Sequence, residues 1–84
     1  MNKIRILFFA TLRERAGMKL LELEVPPGMT VHALKEKLAG DFPDLRESMG
    51  TVLVSINKEF SLDEAVIPPQ AEVALFPPVS GGAS

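Results

Sequence analysis

The residues with the clearest chemical meaning run Phe76-Pro77-Pro78-Val79-Ser80-Gly81-Gly82, followed by Ala83 and Ser84. A Gly-Gly pair has no side chains and no preferred sign of φ, so it can thread a channel that rejects anything bulkier. Pro77 and Pro78 hold the exit from a strand extended and stop the strand there. The result is a stiff neck and a thin tip, a shape that suits a chain whose own main-chain carboxylate is the chemical handle. Six nearly extended residues, Pro77 to Gly82, reach roughly 20 Å at about 3.3 Å each, enough to enter a buried pocket on a partner. The Gly82 carbonyl is joined to Ala83, so a free carboxylate there requires loss of Ala83 and Ser84. These two residues read either as a natural extension removed by a protease or as the remnant of a cloning linker. On the glycine pair alone, an inert flexible end is the simpler reading; Phe76-Pro77-Pro78-Val79 in front of it favours function.

Elsewhere the chain is poor in catalytic chemistry. It has no cysteine and a single histidine, His32. That excludes a disulfide, a thiolate nucleophile and a thiolate metal site. No His/Asp/Glu spacing suggests metal ligation, so no metal is expected. His32 falls in the first turn of a predicted helix and reads as solvated. Arg13, Glu14 and Arg15 read as a solvated face.

The elements that must carry the tail are legible from periodicity. Lys3 to Phe9 alternates, with Ile4, Ile6 and Phe8 on one face and Arg5, Leu7 and Phe9 on the other. Ala10 to Ala16 is a short helical turn, and Gly17 suits its C-terminal stop. Lys19 to Val25 alternates with Leu21, Leu23 and Val25 inward and Glu22 and Glu24 outward; Leu20 is the exception. Pro26-Pro27-Gly28 ends this strand. Thr30 is the expected N-cap of a helix whose apolar stripe is Val31, Leu34 and Leu38. Lys35, Glu36 and Lys37 are expected on its solvent side, and Gly40 as its end. Phe42-Pro43 opens a loop or single turn through Leu45. Thr51 to Ile56 is a third strand and Asn57-Lys58 a turn. Glu59-Phe60 reads as a short edge strand and Ser61 to Ala71 as loop. Glu72 to Phe76 is the last strand, with Val73 and Leu75 inward and Ala74 and Phe76 outward.

Strand, strand, helix, strand, strand describes an α+β chain of the β-grasp type. One main helix packs across one face of a mixed sheet whose first and last strands are adjacent and parallel. Residues 1–76 form the domain and 77–84 the tail. Eighty-four residues with 46% hydrophobic content suffice for one economical core. The net charge of −2 and the absence of a basic stripe argue against nucleic-acid binding. No apolar run approaches the roughly 20 residues that span a bilayer. The apolar stretch after Met1-Asn2-Lys3 ends too soon for a signal peptide. A cytoplasmic location is expected.

Three stretches resemble a known family: Ile6-Leu7-Phe8-Phe9-Ala10 with Leu12-Arg13-Glu14, the Pro-Gly-x-Thr entry at Pro27 to Thr30, and Glu72 to Gly82. Together they are similar to the small subunits of molybdopterin synthase, ubiquitin-like sulfur carriers. The resemblance covers residues 3 to 82, and Phe-Pro-Pro-Val-Ser-Gly-Gly is its most specific part. It departs at Ala83-Ser84, because the carrier form ends at the second glycine. The resemblance implies that an ATP-dependent activating enzyme adenylates the Gly82 carboxylate. A sulfur donor then converts it to a thiocarboxylate. The large synthase subunit, in a hetero-oligomer with this chain, passes the sulfur to a cyclic pyranopterin precursor in molybdenum cofactor biosynthesis. Pro77, Pro78, Val79, Ser80 and Gly81 would form the inserted tail, and no cofactor would be bound. Sulfur on a main-chain terminus needs no cysteine, which agrees with the composition.

Parity also places Phe9 and Phe76 on the face away from the helix. With Phe60 they are expected to form an exposed apolar patch at the base of the tail, a partner surface unless loop 61–71 folds over it. That is where the resembled family docks its large subunit. A sulfur carrier for thiazole synthesis, a ubiquitin-like protein modifier and a plain binding module remain as alternatives. Carrier and modifier both need only an activated glycine.

Overall fold

In the computed structural model, which describes residues 1–78, alternation and turn chemistry account for most of the elements. Strand β1, Asn2–Phe8, buries Ile4, Ile6 and Phe8. Helix α1, Thr11–Ala16, ends where Gly17 takes φ 76°, a left-handed cap that glycine adopts without strain. Strand β2, Leu20–Val25, pairs antiparallel with β1. Helix α2, Val31–Asp41, buries Val31, Leu34 and Leu38. Two 3-10 turns follow, Pro43–Leu45 and Ser48–Gly50. Strands β3, Leu53–Ile56, β4, Glu59–Ser61, and β5, Glu72–Phe76, complete the chain.

The sheet order is β2-β1-β5-β3-β4, with β1 and β5 parallel and the other pairs antiparallel. This is the β-grasp arrangement expected from the element order. The helix covers the face formed by Ile4, Ile6, Phe8, Val54, Ile56, Val73 and Leu75, all buried. Phe42 closes one end of this core edge-on to Phe8, with centroids 6.3 Å apart. Among the described residues no helix is long and apolar enough to cross a membrane.

Loop 62–71 lies over the N-terminus of α2. The first N–H groups of a helix have no partner within it and must be satisfied from outside. Here Val31 N donates to Ala65 O at 2.9 Å and His32 N to Asp63 O at 3.0 Å. Ala33 N donates to the Thr30 hydroxyl at 3.1 Å, so Thr30 is the N-cap. Ile67, fully buried, and an isolated bridge from Val66 to Thr30 pin the rest of the loop there.

The structure corrects several expectations. Helix α2 runs through Gly40 to Asp41, and the capping N–H is that of Phe42, donating to Leu38 O at 2.8 Å. Lys35 is not on the open side: its side chain is only 14% exposed, and Nζ donates to Asp63 Oδ1 at 2.7 Å, tying helix to loop. The third strand begins at Leu53, because Thr51 N bonds back to Ser48 O and closes a 3-10 turn first. Ser61 belongs to β4, paired with Val54. Ala74 faces outward as expected but is buried, because the rings beside it overhang so small a side chain.

Candidate functional site: the open face of the sheet

The face turned away from α2 is built by register. Leu7 stands opposite Leu20 and Ala74, Ala74 opposite Ser55, and Ser55 opposite Phe60. Directly paired residues share a face, so Leu20, Leu7, Ala74, Ser55 and Phe60 form one row across all five strands. The next row holds Phe9, Phe76 and Leu53, the last two paired across β5 and β3. Phe9 lies one residue past β1, yet its N–H donates to Leu75 O at 3.2 Å, which prolongs the parallel ladder and sets Phe9 beside Phe76. Leu12 N then donates to Phe9 O at 3.1 Å and turns the chain into α1.

The three expected phenylalanines therefore meet. Phe9 and Phe76 stack with centroids 4.7 Å apart and planes 12° from parallel. Phe60 and Phe76 lie 5.9 Å apart at 54°. Phe60 is 72% exposed and Phe9 41%. Loop 62–71 does not cover them, because it is spent on the N-terminus of α2.

The other end of the same face is charged. Lys3 stands opposite Glu24, and Arg5 stands between Glu22 and Glu72. Arg5 Nη2 lies 3.9 Å from the Glu72 carboxylate, an exposed contact of little energetic weight. The open face is thus divided into a dry half and a charged half.

β5 runs toward the dry half. Its last residue, Phe76, is the centre of the ring cluster, and Pro77 and Pro78 follow with no N–H to extend the ladder. The tail leaves the body beside the apolar patch. Val79, Ser80, Gly81, Gly82, Ala83 and Ser84 lie outside the described residues, so the inserting and reactive positions are read from sequence alone.

The polar candidates do not gather at the patch. His32 is exposed on α2, 3.3 Å from the Glu36 carboxylate and 3.8 Å from that of Asp63. The hydrogen bond from Lys35, with smaller help from His32, holds the Asp63 carboxyl below its usual range. This cluster joins α2 to its capping loop. Among the described residues no His, Cys, Asp or Glu side chains group to hold a metal ion. Leu20 and Leu53, both more than two-fifths exposed, extend the patch beyond the three phenylalanines that parity assigns to it. The signal for Leu20 was present, since it shares the outward parity of Glu22 and Glu24; Leu53 needed the register to Phe76.

Known proteins of similar sequence and fold place the chain in a family. The molybdopterin synthase sulfur carrier subunit of Haemophilus influenzae is 38% identical over 81 residues, covering 94% of this chain and 99% of that one. The Arabidopsis thaliana protein of the same name is 36% identical over 80 residues, 95% of this chain and 83% of that one. Among solved structures, Haloferax volcanii small archaeal modifier protein 1 superposes with a TM-score of 0.83 at 28% identity, covering 94% of this chain and all of that one. A complex of subunits 1 and 2 of molybdopterin-converting factor from Helicobacter pylori 26695 matches with a TM-score of 0.67 at 17% identity, over 95% of this chain and 99% of that one, a likeness of fold alone. The ThiS family matches residues 6–82, a span that includes the last three residues of β1, the aromatic cluster and the Gly-Gly pair, and the chain belongs to that family.

Proposed function

We propose that this chain is the sulfur carrier subunit of a molybdopterin synthase and that its reactive group is the main-chain carboxylate of Gly82. The observation that carries the reading is the conjunction of near-full-length relatives of that name with an exposed aromatic cluster where the tail begins.

The chemistry follows from the poverty of the domain in reactive side chains. A carboxylate is a poor electrophile. Attack of the Gly82 carboxylate on the α-phosphorus of ATP, on an activating enzyme, releases pyrophosphate and gives an acyl adenylate. A sulfur nucleophile from a donor then displaces AMP and leaves a thiocarboxylate. The thiocarboxylate sulfur goes to a cyclic pyranopterin precursor in the active site of the large subunit, and water takes up the acyl carbon as the C–S bond breaks, which returns the Gly82 carboxylate. This chain's own part is to dock through Phe9, Phe60 and Phe76 and to hold Pro77 and Pro78 at the mouth of that site, so that Val79 to Gly82 reach inward. Assembly with a large subunit is supported by the Helicobacter pylori complex, in which a protein of this fold is paired with subunit 2.

Gly82 must first be freed from Ala83. In the chain ending at Ser84 that carbonyl is an amide, and the terminus lies about 7 Å beyond the reactive position. A site that aligns reacting atoms within about 3.5 Å will not accept that displacement. The test gives ATP, the activating enzyme and a sulfur donor to two proteins, one ending at Gly82 and one at Ser84, and reads intact mass. Only the shorter one should gain the mass of one oxygen-to-sulfur exchange. Equal conversion of the longer chain, with Ala83 and Ser84 still attached, would sink the mechanism.

A second reading is supported by the likeness to a small archaeal modifier protein. In that reading the adenylated Gly82 carbonyl acylates a lysine of another protein and releases AMP. Intact mass from the native cells separates the two: a thiocarboxylated species ending at Gly82 belongs to the carrier, and conjugates to other proteins belong to the modifier.

A further inference from the structure

Beside the aromatic cluster, at the β2 edge of the open face, lies a notch of about 310 Å³ lined by Leu7, Phe9, Leu20, Arg13 and Lys19. Its floor is apolar, and Leu20 and Phe9 are both more than two-fifths exposed. Its rim is cationic. Arg13 and Lys19 are exposed, and neither makes an ion pair among the described residues, as is also true of Lys3, Arg15, Arg46 and Lys58; what sets Arg13 and Lys19 apart is that both line one apolar notch. Both cations sit on fixed backbone. Lys19 O accepts from Phe8 N at 3.0 Å, and Arg13 O accepts from Gly17 N at 3.0 Å. In a chain of net charge −2, two unpaired cations over an apolar floor are a local reversal of sign.

We infer that this notch is an anchoring subsite for an acidic segment of the large subunit, taking an apolar side chain onto Leu7 and Leu20 and a neighbouring carboxylate onto Arg13 and Lys19. The inference rests on the docking role of the aromatic cluster, with which the notch is continuous through Phe9. Rim charges of this kind steer encounter and fix the orientation of docking more than they add affinity. Here they place a charged contact at the β2 edge of the ring cluster, across from the Lys58 that lines its other side, and a carboxylate held there fixes how the partner is turned about the tail at Pro77.

The test measures binding of the Gly82-terminated full chain to the large subunit at about 50 mM and about 300 mM salt, for wild type, the double variant Arg13→Glu with Lys19→Glu, Leu20→Ala and Phe76→Arg. At low salt the double variant should bind about tenfold more weakly, mostly through a slower association rate, and the gap should shrink at high salt as screening removes it. Leu20→Ala should lose a few-fold at both salts. Arg13, Lys19 and Leu20 are exposed, so thermal unfolding of the charge variant should match wild type. Binding of the double variant within about twofold of wild type at low salt would overturn the notch, as would a loss of equal size at both salts. A loss seen only toward the activating enzyme would also overturn it. Phe76→Arg separates the two levels: if it abolishes binding while the charge variant does not, the notch alone is wrong, and if it binds normally the docking face itself is wrong.

Discussion

The face of the sheet turned toward α2 and the face turned away from it both carry a band of large apolar side chains, yet only the first is closed. Inward, Ile4, Ile6, Phe8, Val73 and Leu75 are at most 2% exposed. Outward, Leu7, Leu20, Leu53, Phe9, Phe60 and Phe76 occupy neighbouring register positions, and among the described residues no helix lies over them. Side-chain type does not distinguish the two bands. What distinguishes them is the destination of the connecting chain. The α2 segment crosses one face, and loop 62–71, which could have crossed the other, is committed to the N–H groups of α2. Burial inside one chain serves stability, whereas apolar surface left open serves association.

The comparison breaks most sharply if a change on one face does what a change on the other should do. Leu75→Ala, on the closed face, should cost about 2–5 kcal/mol of folding stability, because it removes buried surface and leaves a cavity in a small core. Urea unfolding measures this, and a loss below about 1 kcal/mol would mean that the closed face is not the core. Phe76→Arg, one residue along the same strand, should leave the fold cooperative and weaken binding to the large subunit by about 30-fold or more, the scale of an interface hot spot. If the Phe76 variant unfolds instead, the outer band is core and the distinction fails.

The smallest effect sharpens the account of why the loop is where it is. The hydrogen bond from Lys35 lowers the Asp63 carboxyl below its ordinary value of 3.8. A carboxyl depressed in the folded state stabilises the fold at pH above its unfolded value, and that contribution is lost as pH falls through the lower folded value. Thermal unfolding followed from neutral pH to below 3.8 should therefore show a decline that Asp63→Asn makes shallower. Asp63 is half exposed, so the contribution is small at any salt and shrinks further at high salt. An identical acid limb in the variant would leave only the Asp63 carbonyl, and not its carboxylate, in the anchoring of the loop.

Much of this was readable along the chain. Alternation separates Ile4, Ile6 and Phe8 from Leu7 and Phe9, and the 3.6-residue stripe of Val31, Leu34 and Leu38 marks the buried side of α2. The Thr30 cap and the Gly17 stop follow from local backbone chemistry. Asn57-Lys58 sits at a two-residue turn because both residues take positive φ, 51° and 74°, as a tight hairpin requires. Gly40 misled because a glycine within the last turn of a helix is merely weak, and the chain does not stop until Phe42 and Pro43. Lys35 misled because its partner, Asp63, lies 28 residues away and periodicity holds no record of it.

The sequence by itself determined the elements, the side-chain parity of each strand and the glycine chemistry of residues 81 and 82, since each depends on neighbours a few positions apart. Only the tertiary structure decided that loop 62–71 leaves Phe9, Phe60 and Phe76 open as one surface and that Leu20 and Leu53 extend it. Those residues come from four strands and from the residue that follows β1, and the sheet order, β2-β1-β5-β3-β4, is not the order of the strands in the chain. Pairing residue 7 with residue 74 requires closure of nearly the whole chain, and the free energy of that closure is supplied by the buried face as a unit, through no local signal around either residue.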